Sequence, residues 1–120
     1  MSHMMIVQSV LRDRDAIQTA CARLGWSLEE QAFPQLWGKK KGPLCAYVLT
    51  PNDHARSLGF QCQADGSYTA VYDAMDQRFL NRFMQEYNYA VIEAEASLLG
   101  YQLSSETLDD GTISLTLEVG

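Results

Sequence analysis

One loop holds the residues whose types and spacing are most suggestive of chemistry. The segment Trp37-Gly38-Lys39-Lys40-Lys41 places three ammonium groups beside an indole, in a chain whose net charge is −6. Such a group of lysines beside an indole can hold an anion or stack on a ring. We therefore predict that the ligand-binding residues are Trp37, Lys39, Lys40 and Lys41. The alternative is an exposed loop with solubilising lysines and an indole folded onto the core.

The histidines and cysteines do not follow the spacing of a metal site or a disulfide framework. His3 and His54 are far apart, and Cys21, Cys45 and Cys62 show no C-x-x-C pattern. Two of the cysteines, Cys45 and Cys62, fall on strands that are expected to pair, with His54 in the turn between them. This leaves a Cys–His pair open, beside the simpler interpretation of buried thiols. We expect no metal and no cofactor.

Other catalytic patterns are also missing. Carboxylates occur in pairs at residues 29–30, 93 and 95, and 109–110, but neighbours along a strand or helix point in different directions. The sequence contains no G-x-S-x-G, G-x-G-x-x-G or G-x-x-x-x-G-K-[ST] motif. No catalytic residue is predicted, and the sequence favours a protein that is not an enzyme.

Composition narrows the class of protein. The 120 residues predict one domain over 1–120, with 47% hydrophobic and 20% charged residues, which is too apolar for disorder. No run of about 18 apolar residues predicts a membrane span, and no signal peptide is recognisable. Unpaired cysteines favour a reducing compartment, so we expect a cytoplasmic protein.

Charge is distributed unevenly along the chain. Residues 86–120 hold seven acidic residues and no Lys or Arg, whereas residues 1–41 hold six Lys or Arg against four acids. The overall acidity argues against general nucleic-acid binding, which needs a positive surface. Either the two parts attract each other or a partner, or the acidic part is a solvated face.

Periodicity predicts two helices. Asp13 or Asp15 is placed to cap a first helix that Gly25 ends. Asp76 is placed to cap a longer second helix that closes at Gly100. The apolar stripe predicted for the second helix is Phe79, Leu80, Phe83, Met84, Tyr87, Ala90, Val91, Ala94 and Leu98.

Strands are predicted around these helices. Residues 4–11 are apolar on both faces, as in a strand covered on both sides, and residues 44–49 resemble a central strand. Further strands are predicted at 26–33, 58–63, 67–73, 101–105 and 113–119, with hairpin turns at Asp65-Gly66 and Asp110-Gly111. Residues 34–43 are predicted to form a loop.

These elements predict an α+β fold, with a mostly antiparallel sheet and two helices on one face. The helix ends resemble each other, Ala-Arg-Leu-Gly-Trp-Ser-Leu at 22–28 and Ser-Leu-Leu-Gly-Tyr-Gln-Leu at 97–103. The chain therefore has the pattern of two βαββ units with an extra strand near their junction, although one match of this length is also compatible with chance.

The chain resembles a family. The residues that carry the resemblance are Arg78-Phe79-Leu80-Asn81, Tyr87-Asn88-Tyr89, Gly100-Tyr101-Gln102 and Asp110-Gly111. They are similar to the Ycf35 family, small cyanobacterial and plastid-encoded proteins also catalogued as the domain of unknown function DUF1257. Met1-Ser2-His3 resembles the start of that family, which favours a native N-terminus over a tag remnant, while Trp37–Pro43 departs from the family pattern. The resemblance implies a phototroph or one of its phages as source, and it brings no reaction, cofactor or catalytic residue.

Two functions fit the sequence. The first is a non-enzymatic binding or adaptor module that contacts a protein partner or forms a homodimer through spare apolar strand faces. The second is a regulator, or weak enzyme, that binds a small molecule or anion at the Trp37–Lys41 loop.

Overall fold

A computed structural model describes residues 4–8, 11, 13–109 and 113–119. The helices and strands in chain order are β1 (Met4–Gln8), α1 (Arg14–Leu24), β2 (Ser27–Ala32), β3 (Cys45–Thr50), β4 (Leu58–Cys62), β5 (Tyr68–Asp73), α2 (Gln77–Leu98), β6 (Tyr101–Thr107) and β7 (Ile113–Val119). Short 3-10 turns lie at Trp37–Lys39 and Ala74–Asp76.

Five strands form the main sheet in the order β1-β5-β4-β3-β2, and every neighbouring pair is antiparallel. Strands β6 and β7 form a separate two-stranded antiparallel sheet. The predicted α+β class with a mostly antiparallel sheet is confirmed. The element order also fits two βαββ units around β4, but only the first unit places its hairpin in the main sheet.

Both helices pack on one face of this sheet. Phe60 of β4 and Phe83 of α2 are fully buried, with their rings 5.2 Å apart, and Ile17 of α1 is fully buried in the same core. Alternate residues of β5, namely Tyr68, Ala70 and Tyr72, face this core as their spacing predicts. Burial of these large side chains is the main stabilising contribution to the fold.

The ends of α1 follow local rules. Asp13 is the cap, because its Oδ1 accepts the Ala16 N–H at 3.1 Å. Gly25 ends the helix in the left-handed conformation, with φ of 71°. The Asp13 N–H donates in turn to the Tyr87 hydroxyl at 3.0 Å, which ties the start of α1 to the middle of α2. Both terminal signals of the first helix are thus confirmed.

Two predictions about coverage are wrong. Strand β1 was predicted to be covered on both faces, but it is an edge strand whose Met4, Met5 and Ile6 are 39%, 36% and 58% exposed. The apolar stripe of α2 was predicted to reach Leu98, but this side chain is 87% exposed. In both places the sequence pattern is apolar, and the chain supplies no described element to cover it.

The segment between β2 and β3 crosses the face of the sheet opposite the helices. A side chain at position 59 would point to this face, because the neighbouring Phe60 points into the helix-covered core. A Cβ built on Gly59 would lie 2.6 Å from the Cys45 Sγ and 3.0 Å from the Pro34 Cγ. The missing side chain therefore lets Pro34 lie directly on the sheet. No helix in the described part of the chain is long and apolar enough to cross a membrane.

Candidate functional site

The most unusual polar cluster surrounds Asp76, at the start of α2. Its side chain is 2% exposed, and Arg56 approaches it with two parallel hydrogen bonds. The Arg56 Nε donates to Oδ2 at 2.8 Å, and Nη2 donates to Oδ1 at 3.0 Å. Burial raises the pKa of the Asp76 carboxyl, but the hydrogen bonds from Arg56 and His54 outweigh it and hold that pKa below its ordinary value. The same contact raises the pKa of Arg56.

Asp76 therefore does not have the role that the sequence predicts. It occupies the cap position of α2, but its carboxylate caps no backbone N–H. Its oxygens are used by Arg56 and by the ring of His54, whose Nε2 lies 3.0 Å from Oδ1. The His54 ring also packs on Phe79 of α2, with centroids 4.5 Å apart. The buried ion pair, formed with residues of the β3–β4 connection, replaces the local cap.

Arg56 also contacts the loop that the sequence predicts as a binding site. Its guanidinium carbon lies 5.7 Å from the centroid of the Trp37 ring, within cation–π range. The backbone N–H of Trp37 donates to Oδ2 of Asp73 at 2.6 Å, and Asp73 is itself 3% exposed. Two buried carboxylates thus hold the indole and the guanidinium beside each other. Asp73 accepts from the backbone N–H of Trp37, and Asp76 accepts from the side chain of Arg56.

The turn that carries Trp37 is closed by its own backbone. Leu36 N–H donates to the Lys40 carbonyl at 2.7 Å, and Gly42 N–H donates to the Pro34 carbonyl at 2.9 Å. Gly38 has a left-handed φ of 69°, which residues other than glycine rarely adopt. These bonds define the turn from Pro34 to Gly42 as an ordered structure.

A cavity of about 470 Å³ lies between this turn and the β3–β4 connection. Its lining is mainly apolar, with one guanidinium, and consists of Gln35, Leu36, Trp37, Gly38, Ala55 and Arg56. Sites for small ligands have this size and composition, with a few polar groups in an apolar wall. This cavity with the Asp76 cluster behind it is the candidate site.

The predicted ligand-binding residues are placed as follows. Trp37 lines the cavity and is 54% exposed. Lys40 and Lys41 are exposed on the same turn. The backbone N–H and carbonyl of Lys40 form hydrogen bonds that close the turn, and Lys41 forms an isolated antiparallel β-bridge with Gln35. The side chain of Lys39 lies outside the described residues. Ligand binding by these four residues stays a prediction.

Sequence reasoning did not find Arg56, His54 and Asp73 as members of the site. Arg56 is 19 residues from Trp37 and 20 from Asp76, so no local periodicity connects them. The available signal is the concentration of charged and polar residues at 50–56, but nothing local relates these residues to Trp37 or Asp76.

The cysteines do not join this site. Cys21 and Cys45 are buried free thiols, and burial raises the pKa of each to about 11. Their sulfurs contact backbone carbonyls, Trp26 O for Cys21 and Pro43 O for Cys45. His54 contacts Asp76 and Phe79, so the structure does not form the Cys–His pair that the sequence left open. Among the described residues no cluster of three potential metal ligands occurs.

A family model described as "Protein of unknown function (DUF1257)" matches residues 20–116. The match begins within α1 and covers the whole of α2 and of the candidate site. No curated protein and no solved structure matches the chain. Because the matched residues make up most of its length, the chain belongs to the DUF1257 family of proteins of unknown function.

Proposed function

We propose that this protein is a protein-binding module that associates with a second copy of itself through the β1 edge of its main sheet. The observation that carries the proposal is the edge strand β1, which has β5 on one side and, among the described residues, no strand on the other. An edge strand has a row of N–H and C=O groups that can pair with another chain.

The side chains of β1 support association. Met4, Met5 and Ile6 are all exposed, and the register pairs Met5 with Tyr72 and Ile6 with Val71 on opposite faces of the sheet. Natural edge strands are usually protected by charges, prolines or covering loops. Residues 4–8 contain none of these charges or prolines, so β1 has the chemistry of an interior strand.

The β6–β7 hairpin is the expected occupant of this edge. Its two strands pair only with each other in the described structure, and an isolated two-stranded hairpin is marginally stable in water. At seven residues each, β6 and β7 are long enough to pair with the five residues of β1. Each chain has one hairpin to donate and one uncharged edge strand, β1, to accept it, whereas the other edge strand, β2, carries Glu29 and Glu30. Two copies can therefore satisfy each other in a closed two-fold dimer.

Charge does not oppose this arrangement. The hairpin lies within residues 86–120, which carry seven acids and no Lys or Arg, whereas residues 4–8 of β1 carry no charge. Pairing the two therefore places no acid of the edge strand against the acids of the hairpin.

Light scattering after size exclusion tests the proposal. The wild-type chain is expected to elute as a dimer, and Ile6→Lys is expected to make it monomeric, because a charge would then lie on the paired edge. Leu44→Lys is the matched control, since Leu44 is 50% exposed and Ile6 is 58% exposed, and it is expected to stay dimeric. A wild-type chain that is monomeric at every concentration, or equal effects of the two substitutions, would overturn the proposal.

A further inference from the structure

We propose that the cavity beside Trp37 and Arg56 binds a small planar anion, namely an aromatic ring that carries a carboxylate. This binding site is separate from the sheet edge and does not depend on a second copy. The proposal rests on three features of the cavity: an exposed ring, an oriented cation and a turn already held in place.

The first feature is the exposed ring of Trp37. The Trp37 side chain is 54% exposed although it lies on an ordered turn and lines a cavity. An indole that remains this open on a fixed backbone offers a flat apolar surface, which a planar ligand covers by offset stacking. The neighbouring lining residues Leu36 and Ala55 supply further apolar contact.

The cation is Arg56. Asp76 binds Nε and Nη2, which fixes the plane of the guanidinium. Among the described residues nothing pairs with Nη1, so this N–H₂ group stays available to an acceptor. Lys40 and Lys41 add two exposed positive charges on the same turn. The cavity therefore has one guanidinium in its lining, with two further positive charges on the same turn, in a chain of net charge −6.

The two nearby acids are both engaged by protein groups. Asp76 is 2% exposed on its side chain and is directed to Arg56 and His54. Asp73 is buried and accepts the Trp37 N–H. Neither carboxylate lines the cavity. The lining of the cavity thus presents the indole of Trp37 and the guanidinium of Arg56.

The turn is built before a ligand arrives. Leu36 and Lys40 are joined by a backbone hydrogen bond of 2.7 Å, and the Ser57 N–H donates to the Gln35 carbonyl at 2.8 Å. The second bond attaches the turn to the start of β4, on the other wall of the cavity. Little ordering has to accompany binding, which favours affinity for a small ligand.

Isothermal titration calorimetry with 2-naphthoate as the probe tests the site. Two further compounds separate its parts: 2-naphthalenemethanol has the ring without the charge, and acetate has the charge without the ring. We expect 2-naphthoate to bind at one site per chain, and each of the other two to bind at least tenfold more weakly. Equal affinity for 2-naphthoate and 2-naphthalenemethanol would overturn the anion preference, and no binding of 2-naphthoate would overturn the site.

Substitutions locate the binding. Trp37→Ala keeps the backbone N–H that bonds Asp73, so the turn is expected to persist while affinity falls at least tenfold. Trp37→Phe is expected to restore most of it. Phe33→Ala is the matched control, because Phe33 is 55% exposed and does not line the cavity. Equal affinity of Trp37→Ala and the wild-type chain would place the ligand elsewhere and overturn the proposal.

The monomeric variant separates this inference from the proposed dimer. The cavity is lined by one chain only, so Ile6→Lys is expected to bind 2-naphthoate with wild-type affinity whether or not it dimerises. Loss of binding in Ile6→Lys, with its fold intact by circular dichroism, would contradict a site made within a single chain.

Discussion

Asp76 shows how a tertiary contact decides the role of a residue that local rules assign differently. An aspartate before a helix usually accepts a backbone N–H of the first turn. Here the carboxylate is buried, and a buried charge is tolerated only when it is paired and hydrogen-bonded. Arg56 and His54 meet that requirement. The same residue therefore joins the start of α2 to the β3–β4 connection and orients the guanidinium of the candidate site.

Asp76→Asn is expected to lower the free energy of unfolding at neutral pH by on the order of 3 kcal/mol, because Arg56 loses its buried counter-charge. The substitution should also change how the free energy of unfolding depends on pH under acidic conditions. The pKa of Asp76 is lower in the folded chain than in the unfolded chain. Its stabilising contribution is therefore complete above the unfolded pKa of about 4 and is lost as the pH falls through the folded pKa.

Urea unfolding at a series of pH values measures both effects. The variant is expected to lose less stability than the wild-type chain as the pH falls below about 4. Asp53→Asn is the control, since Asp53 is exposed and its φ of 57° suits either residue. Parallel pH profiles for the wild-type chain and Asp76→Asn would show that Asp76 has no depressed pKa.

The three thiols should differ in reactivity. Burial raises the pKa of Cys21 and Cys45 to about 11, which removes the reactive thiolate at neutral pH. Cys62 is exposed. A disulfide reagent such as DTNB is expected to modify one thiol per native chain rapidly, and three in denaturant. Cys62→Ser should abolish the fast phase, and a fast phase that survives this substitution would contradict the burial of the other two.

At the scale of elements, the sequence predicts what depends on neighbours along the chain. The Asp13 cap, the Gly25 helix end and the Asp65-Gly66 turn arise from local backbone geometry, and the structure confirms each. The alternation of Tyr68, Ala70 and Tyr72 likewise orients β5 correctly. Such features need only a few consecutive residues, so one sequence is sufficient to find them.

Features that need distant partners were missed. An apolar strand such as β1 has the same composition at an edge as in the middle of a sheet, because strand order is not encoded within the strand. The candidate site depends on contacts between residues 19 to 36 positions apart, such as Trp37 with Arg56 and Trp37 with Asp73. The sequence identified Trp37 but could not provide the cation or the carboxylates that position it.

The passage of the 34–43 segment over the sheet gives an element-scale prediction. Gly59→Ala is expected to destabilise the fold by about 1–3 kcal/mol, because the new Cβ would meet the Cys45 Sγ at 2.6 Å and Pro34 at 3.0 Å. Cys45→Ala removes the closer of these atoms. The double variant Gly59→Ala with Cys45→Ala should therefore be more stable than the sum of the two single effects predicts.

Chemical denaturation of the wild-type chain, the two single variants and the double variant measures this coupling. Cys21→Ala replaces Cys45→Ala as the control, because Cys21 is also a buried thiol but lies in α1. Its effect should add to that of Gly59→Ala without coupling. Additive behaviour of the Cys45 pair would mean that the segment moves aside instead of resisting the new methyl group.

At the scale of the whole molecule, the chain is more extended than its length requires. Its radius of gyration is 15.2 Å, with extents of 50 × 36 × 21 Å, whereas a compact domain of this length has a radius of about 14 Å. The separate β6–β7 sheet and the exposed Leu98 and Leu99 at the end of α2 are consistent with this difference. An apolar helix end that leads into an unsupported hairpin is expected to gain stability from a partner.

Hydrogen exchange connects the proposed dimer to this hairpin. In a dimer that joins β6–β7 to the β1 edge of a second copy, amides of both elements are hydrogen-bonded in a larger sheet, so their exchange should be slow. In the Ile6→Lys variant the same amides should exchange at least tenfold faster, while amides of β3 and β4 in the sheet interior stay protected. Mass spectrometry of peptides from 101–119 and from 4–11 measures the difference. Leu44→Lys is expected to retain the wild-type pattern. Fast exchange of the hairpin in a chain that light scattering shows to be dimeric would mean that the copies associate through another surface.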